Sequence, residues 1–265
     1  LKIAEGGLSK FRQEYPLTPE EAFQVSGANV FNLEKLQSLQ PSPIKKRQSF
    51  NLEASAFEDH QEGQLEIFEY PKFEETFVIG ADCALGVGQD SSACTVMNTK
   101  NEVVALYRNN RIDPTQYGDL LFYLGRYYNN ALLAVESNSL GIATLNRLKQ
   151  MEYVNLYHQT KVANVSNEEG TRLGWRTTQA TKPMIIGHLK NAIENDDINL
   201  ASPRIIRECM DYVADDNGRT NAISGSHDDT VIATAIALEV LRTHRDRLST
   251  NKVGFKNQQW SEDNT

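Results

Sequence analysis

The sequence is short of several features that would place a protein quickly. It has three cysteines, Cys83, Cys94 and Cys209, an odd number without CxxC spacing. That excludes a disulfide framework or a cysteine zinc knuckle as the organising device and fits a reducing cytosol. No uncharged apolar run approaches the roughly 20 residues that a membrane-spanning helix needs, and mean hydropathy is −0.49. There is no GxxxxGK[ST] loop, which argues against nucleotide hydrolysis, and no Ser–His–Asp or Cys–His arrangement is legible. Positive charge is in deficit: the net charge is −8 and the isoelectric point about 5.2. A tight, sequence-independent binder of polyanions is usually basic. The chain opens on Leu1 with neither an initiator methionine nor a basic-then-apolar leader, so the expectation is a fragment of a longer protein.

What remains is enough for a folded body. Of 265 residues, 40% are apolar, which is sufficient for a real core and suits one full domain plus a smaller segment. Residues 1–70 read as a connector. It contains the proline-stiffened stretch Tyr15-Pro16-Leu17-Thr18-Pro19-Glu20-Glu21-Ala22-Phe23, a break at Gln40-Pro41-Ser42-Pro43 and a small basic cluster, Lys45-Lys46-Arg47, read as solvated surface. The main domain takes residues 71–247, and residues 248–265 read as a flexible tail.

Within the main domain, Thr76-Phe77-Val78-Ile79-Gly80-Ala81 is a β-favouring run that ends at Asp82. A glycine-rich turn with Gly86 and Gly88 leads to strands over 93–97 and 102–107, making an antiparallel meander. Asp113-Pro114 starts a helix carrying Tyr117, Leu120, Leu121, Leu124 and Tyr128. Ala131-Leu132-Leu133-Ala134-Val135 is apolar throughout and too short for a helix, hence a buried strand, and it ends at Glu136. A capped helix with Ile142, Leu145 and Leu148 follows, then a strand over 154–157, a projecting hairpin or loop over 161–172, and helices near 181–193, 205–212 and 228–245. Hairpin strands followed by helix–strand–helix predict an α/β fold, a mixed sheet with helices on both faces.

Three acidic positions fall where such a sheet builds a site. Asp82 and Glu136 end strands, and Asp228-Asp229 open the last helix. Carboxylates at close range cannot all stay ionised unless cations neutralise them. Oxygen-only donors select hard divalent ions, and two such ions can act on a phosphodiester. Taken singly, each acid reads equally as a turn or helix cap; Glu136, directly after an apolar strand, needs a partner or solvent. His227 stands beside the acid pair, either to tune the site or to make a helix-entry hydrogen bond. Lys161, Arg172, Arg176, Lys182, Arg204 and Arg207 offer a phosphate-facing rim. Trp175 lies in Arg172-Leu173-Gly174-Trp175-Arg176-Thr177-Thr178, on the DNA surface or tucked into the core.

These residues resemble a known family, the terminase large subunits of tailed bacteriophages. Phe11-Arg12-Gln13-Glu14-Tyr15-Pro16 with Thr18-Pro19-Glu20-Glu21-Ala22-Phe23 is similar to the junction between packaging ATPase and nuclease. Phe77-Val78-Ile79-Gly80-Ala81-Asp82, Ala134-Val135-Glu136-Ser137-Asn138, Gly174-Trp175-Arg176-Thr177-Thr178, Thr181-Lys182-Pro183 and Ser226-His227-Asp228-Asp229-Thr230-Val231 resemble the nuclease motifs in matching order. Glu136 stands where many relatives carry Asp. The resemblance implies a ribonuclease H-like fold and two Mg²⁺ or Mn²⁺ ions held by Asp82, Glu136, Asp228 and Asp229, with the share between the last two open. It also implies cleavage of concatemeric viral DNA during packaging in the host cytoplasm. The partners it implies are double-stranded DNA, the terminase small subunit, the portal protein and an N-terminal ATPase domain. Two other readings stand beside it: a different ribonuclease H-like nuclease such as a junction resolvase, separable by preference for branched DNA, and a non-catalytic arm gripping DNA or portal, separable by absence of metal binding.

Overall fold

The computed structural model describes residues 28–88, 90–160, 170–215 and 217–250. Its centre is a seven-stranded mixed sheet. The strands are β2 (Lys46–Asn51), β3 (Ala56–Asp59), β4 (Leu65–Ile67), β5 (Phe77–Asp82), β6 (Ser92–Asn98), β7 (Val103–Asn109) and β8 (Leu132–Val135). They lie in the order β3-β2-β4-β7-β6-β5-β8. The expected meander is there: β5 pairs antiparallel with β6, and β6 with β7. β8 joins the free side of β5 in parallel register, Val78 opposite Leu132 and Ala81 opposite Val135. Three of the strands, β2, β3 and β4, come from residues that the sequence reading gave to the connector. β1 (Ala28–Asn29) sits instead in a small sheet with β11 (Tyr212–Ala214) and β12 (Thr220–Ala222). The strand expected over 154–157 is reduced to a parallel bridge at Leu156. The regular strand is β9 (His158–Thr160), paired antiparallel with β10 (Thr171–Leu173). The expected hairpin over 161–172 lies largely outside the described residues; β9 and β10 flank it.

Alternation along the strands divides the core in two. On one face Phe77, Ile79, Ala81, Leu133 and Val135 pack under α2 (Pro114–Tyr127) and α3 (Gly141–Gln150). On the other, Val78, Met97, Leu132 and Ala134 meet α4 (Thr181–Glu194), α5 (Pro203–Met210) and α6 (Asp229–Thr250), with α1 (Leu33–Ser38) at the margin. α2 starts as its sequence dictates: the Asp113 side chain accepts from the amides of Thr115 and Gln116, and Pro114 follows at the first helical position. Among the described residues no helix is long and apolar enough to cross a membrane.

Gly80 sets how closely α6 lies on the sheet. A Cβ there would stand 2.2 Å from the Ala233 carbonyl oxygen and 2.5 Å from the Ala237 nitrogen. The helix backbone thus rests directly on β5. On the neighbouring strand the Thr95 and Thr234 hydroxyls share a buried hydrogen bond of 2.9 Å. This contact brings the first turn of α6 to the carboxyl end of β5.

Candidate metal-binding active site

The parallel pairing of β5 and β8 brings the first two acids together. The Glu136 amide donates to the Ala81 carbonyl at 2.8 Å, so Asp82 and Glu136 leave adjacent strands side by side. Asp82 accepts from the Cys83 amide at 2.8 Å. Glu136, 8% exposed, accepts from Asn138 Nδ2 at 2.9 Å. The other end of that amide, Asn138 Oδ1, accepts from the Leu140 and Gly141 backbone and starts α3. Burial, then the charge of Glu136 and its hydrogen bond, then the charges of Asp229 and Asp228, hold the Asp82 carboxyl well above the usual carboxylate range.

The last helix supplies the rest. Asp228 precedes α6, and its carbonyl accepts from the Ile232 amide. Its side chain pairs with Lys182 Nζ at 3.3 Å. Lys182 also reaches Asn221 Oδ1 at 3.0 Å and lies over the Tyr212 ring. Asp229, 6% exposed, accepts from the Ser91 amide at 3.2 Å and from Arg108 Nη2 at 3.4 Å. Burial raises its carboxyl despite the opposing pull of Arg108, the Ser91 amide and His227. Ligand-capable atoms of Asp90, His227 and Asp229 lie within 4.8 Å of one another. That grouping does not include Asp82 and Glu136; the two constellations meet through the Asp228–Asp229 pair, whose charges both act on Asp82.

Behind Asp229 stands a pair the sequence reading missed. Glu208, on α5, accepts from the Thr230 amide at 2.8 Å and from the Thr230 hydroxyl at 2.6 Å. It thereby caps the start of α6 from a different helix. Arg108 Nε is 3.7 Å from Glu208, while its Nη2 faces Asp229. Burial is the main reason the Glu208 carboxyl is raised. A glutamate on the same helical face as Ile205 and Cys209 was a signal for a buried charge.

Of the expected rim, Lys182 is engaged with Asp228 inside the site, Arg204 and Arg207 are exposed on α5, and Lys161 lies outside the described residues. Arg172 and Arg176 line a groove beside Ser137 and Asn138. Trp175 takes the core alternative: it is 2% exposed and packs near Tyr157. Lys45, Lys46 and Arg47 pair with Glu69, Asp59 and Glu66, the surface role expected of them.

An antiparallel meander, a parallel strand added at its first member, and acids gathered at that junction define a ribonuclease H-like nuclease domain. The model of the terminase RNaseH-like domain matches residues 79–241, more than half of the chain, and the chain belongs to that family. The large terminase nuclease from thermophilic phage G20c is similar in fold, with a TM-score of 0.58 at 18% identity over 80% of this chain and 98% of that one. The same nuclease with bound magnesium gives 0.59 at 18% identity, over 80% and 97%. The large terminase nuclease domain of Thermus phage P74-26 gives 0.55 at 17% identity, over 85% and 98%.

Proposed function

We propose that the chain is a metal-dependent DNA endonuclease that cuts concatemeric viral DNA during genome packaging. One observation carries the reading: half-buried Asp82 and buried Glu136 leave adjacent parallel strands side by side, at the end of the sheet where α6 begins with Asp228 and Asp229. Against these carboxylates the structure sets Lys182 and Arg108, so negative charge remains in excess. The donor set fits hard divalent cations. The Ser91 hydroxyl supports the fit, being buried without a hydrogen-bond partner among the described residues while its own amide holds Asp229. Asp82, Glu136, Asp228 and Asp229 would hold two Mg²⁺ or Mn²⁺ ions, with Asp90 and His227 completing the surroundings of Asp229. Bound divalent ions supply Lewis-acid stabilisation of charge on the reacting phosphodiester. Magnesium is bound in the G20c nuclease, which supports the same choice here.

The chain's own residues then have separable tasks. Asn138 fixes the Glu136 carboxylate. Arg108 and Glu208 fix Asp229 and the start of α6. Arg172, Arg176, Lys161 and Lys182 would face DNA phosphates. In this reading residues 71–247 form the nuclease together with β2, β3 and β4, which complete its sheet, and an ATPase domain would join on the N-terminal side. The partners are duplex DNA, the terminase small subunit and the portal protein, met in the host cytoplasm.

The test is nicking of supercoiled plasmid in Mn²⁺. Wild type should nick, chelator should stop it, and Asp82→Asn should be inactive while keeping its thermal transition. Undiminished nicking by a folded Asp82→Asn protein would overturn the assignment. Selective cutting of branched over linear duplex would favour the resolvase reading instead.

A further inference from the structure

The groove that holds Arg172 and Arg176 has a volume of about 630 Å³. It is lined by three cations, Lys149, Arg172 and Arg176, by polar side chains including Ser137, Asn138 and Thr177, and by apolar walls from Ile142, Leu145 and Leu173. Among the described residues no carboxylate lines it. Lys35, Lys45, Lys46, Arg47, Arg108, Arg147 and Lys182 all have acidic partners. Lys149, Arg172 and Arg176 have none among the described residues; nor do Lys100, Arg111, Arg204 and Arg207, but those do not line this groove. In a chain of net charge −8, three unpaired cations sharing one concavity call for an anionic occupant. The Thr177 hydroxyl points the same way, since it is shielded from solvent and has no hydrogen-bond partner among the described residues.

The groove also abuts the carboxylate site. Asn138 lines it and donates to Glu136 at 2.9 Å. Ser137 directly follows Glu136 and donates its hydroxyl to the Trp175 carbonyl at 3.0 Å, which ties the groove floor to the chain between Arg172 and Arg176. Lys149 arrives from the last turn of α3, so the cations come from two separate elements.

We infer that this groove seats the backbone phosphates of a DNA strand on the Glu136 side of the carboxylate site. The inference makes Lys149 a DNA-binding residue and places the bound strand between α3 and residues 172–177, just past the carboxyl end of β8. It rests on the nuclease reading for the identity of the polyanion, and its test separates the two. Cations positioned on phosphates bind without reading sequence, and each one lost lowers the salt dependence of affinity.

The experiment measures anisotropy of a fluorescein-labelled linear duplex over a sodium chloride series. The parent is Asp82→Asn with Mg²⁺, and the series is repeated on wild type in EDTA. Lys149→Ala, Arg172→Ala, Arg176→Ala and their triple combination are compared with Lys100→Ala. Lys100 is exposed on the β6–β7 turn, at the opposite end of the sheet. Each groove substitution should lower the slope of log Kd against log salt by about 0.9 and weaken binding roughly tenfold at low salt. Lys100→Ala should change neither. A triple variant that keeps its thermal transition and matches Lys100→Ala would overturn the inference, even if wild type nicks plasmid. Groove-dependent binding by a wild type that never nicks would support the groove and overturn the nuclease reading alone.

Discussion

Asp82 and Glu136 leave neighbouring parallel strands side by side, the Glu136 amide donating to the carbonyl of Ala81, the residue before Asp82. Without a cation this is an unfavourable juxtaposition, and two consequences follow for Asp82→Asn. Removing one charge should raise the melting temperature of the metal-free domain, by about 2–4 °C for each kcal/mol of relief. It should also erase the upward shift that Mn²⁺ gives wild type by binding the folded state alone. Differential scanning fluorimetry with and without Mn²⁺ reads both. A metal-free variant less stable than wild type would contradict the electrostatic account.

The pH dependence follows in sign. The Asp82 carboxyl is raised from an ordinary value of 3.8 by burial and by Glu136. A carboxyl raised by folding leaves stability intact below its unfolded value and removes it as pH climbs toward the folded value. The stability gained by Asp82→Asn should therefore vanish near pH 3.8 and widen as pH rises toward neutrality. Urea titrations of the metal-free proteins at several pH values check this, and a gap that narrows with rising pH would refute it.

Glu208 holds the first turn of α6 through two bonds to Thr230. Glu208→Ala strips a buried helix start of its acceptor and leaves Arg108 facing Asp229 alone. The expected loss is about 2–3 kcal/mol, read as a lower urea midpoint. Glu208→Gln, which keeps an acceptor oxygen, should recover most of it. Equal losses in both variants would mean that Thr230 does not use the side-chain oxygen.

Gly80→Ala inserts a methyl group where the α6 backbone already lies, 2.2 Å from the Ala233 carbonyl. Overpacking of this kind costs about 1–3 kcal/mol. The helix that must yield carries Asp228 and Asp229, so nicking should fall by more than tenfold even where the protein remains folded. A folded Gly80→Ala protein with wild-type nicking would show that the helix position is not critical.

Asp90 and His227 share their neighbourhood with Asp229. If they complete a cation site, Asp90→Ala and His227→Ala should each weaken the Mn²⁺ concentration dependence of nicking by about tenfold or more. Saturating Mn²⁺ should restore much of the rate. Loss of rate with unchanged Mn²⁺ dependence would assign these side chains to DNA contact or loop shape instead.

The core of this fold was legible because it is written in unmistakable patterns. The run 77–81 and the run 131–135 are apolar, short and terminated by acids, and Asp113-Pro114 announces α2. The edge of the sheet was not. β2 is half-buried along its whole length and β3 is mostly exposed. Their polar and charged residues therefore carry no apolar stripe, and they passed for connector. Asp82, Glu136 and the Asp228–Asp229 pair could be found because each ends or begins a strong element. Asp90 sits in a loop of glycine and serine where an aspartate ordinarily means a turn. Arg108 and Glu208 matter only through pairings between distant elements, which no local pattern records.

The parallel join of β5 to β8 also has a meaning for how the chain comes together. The hairpins β5–β6 and β6–β7 close short loops and can form without bringing Asp82 near Glu136 or α6. Repulsion between those two acids exists only after the long crossover through α2 has docked β8. The electrostatic penalty is thus confined to a late, non-local step of assembly, and a chain arrested before that step would lack the paired carboxylates.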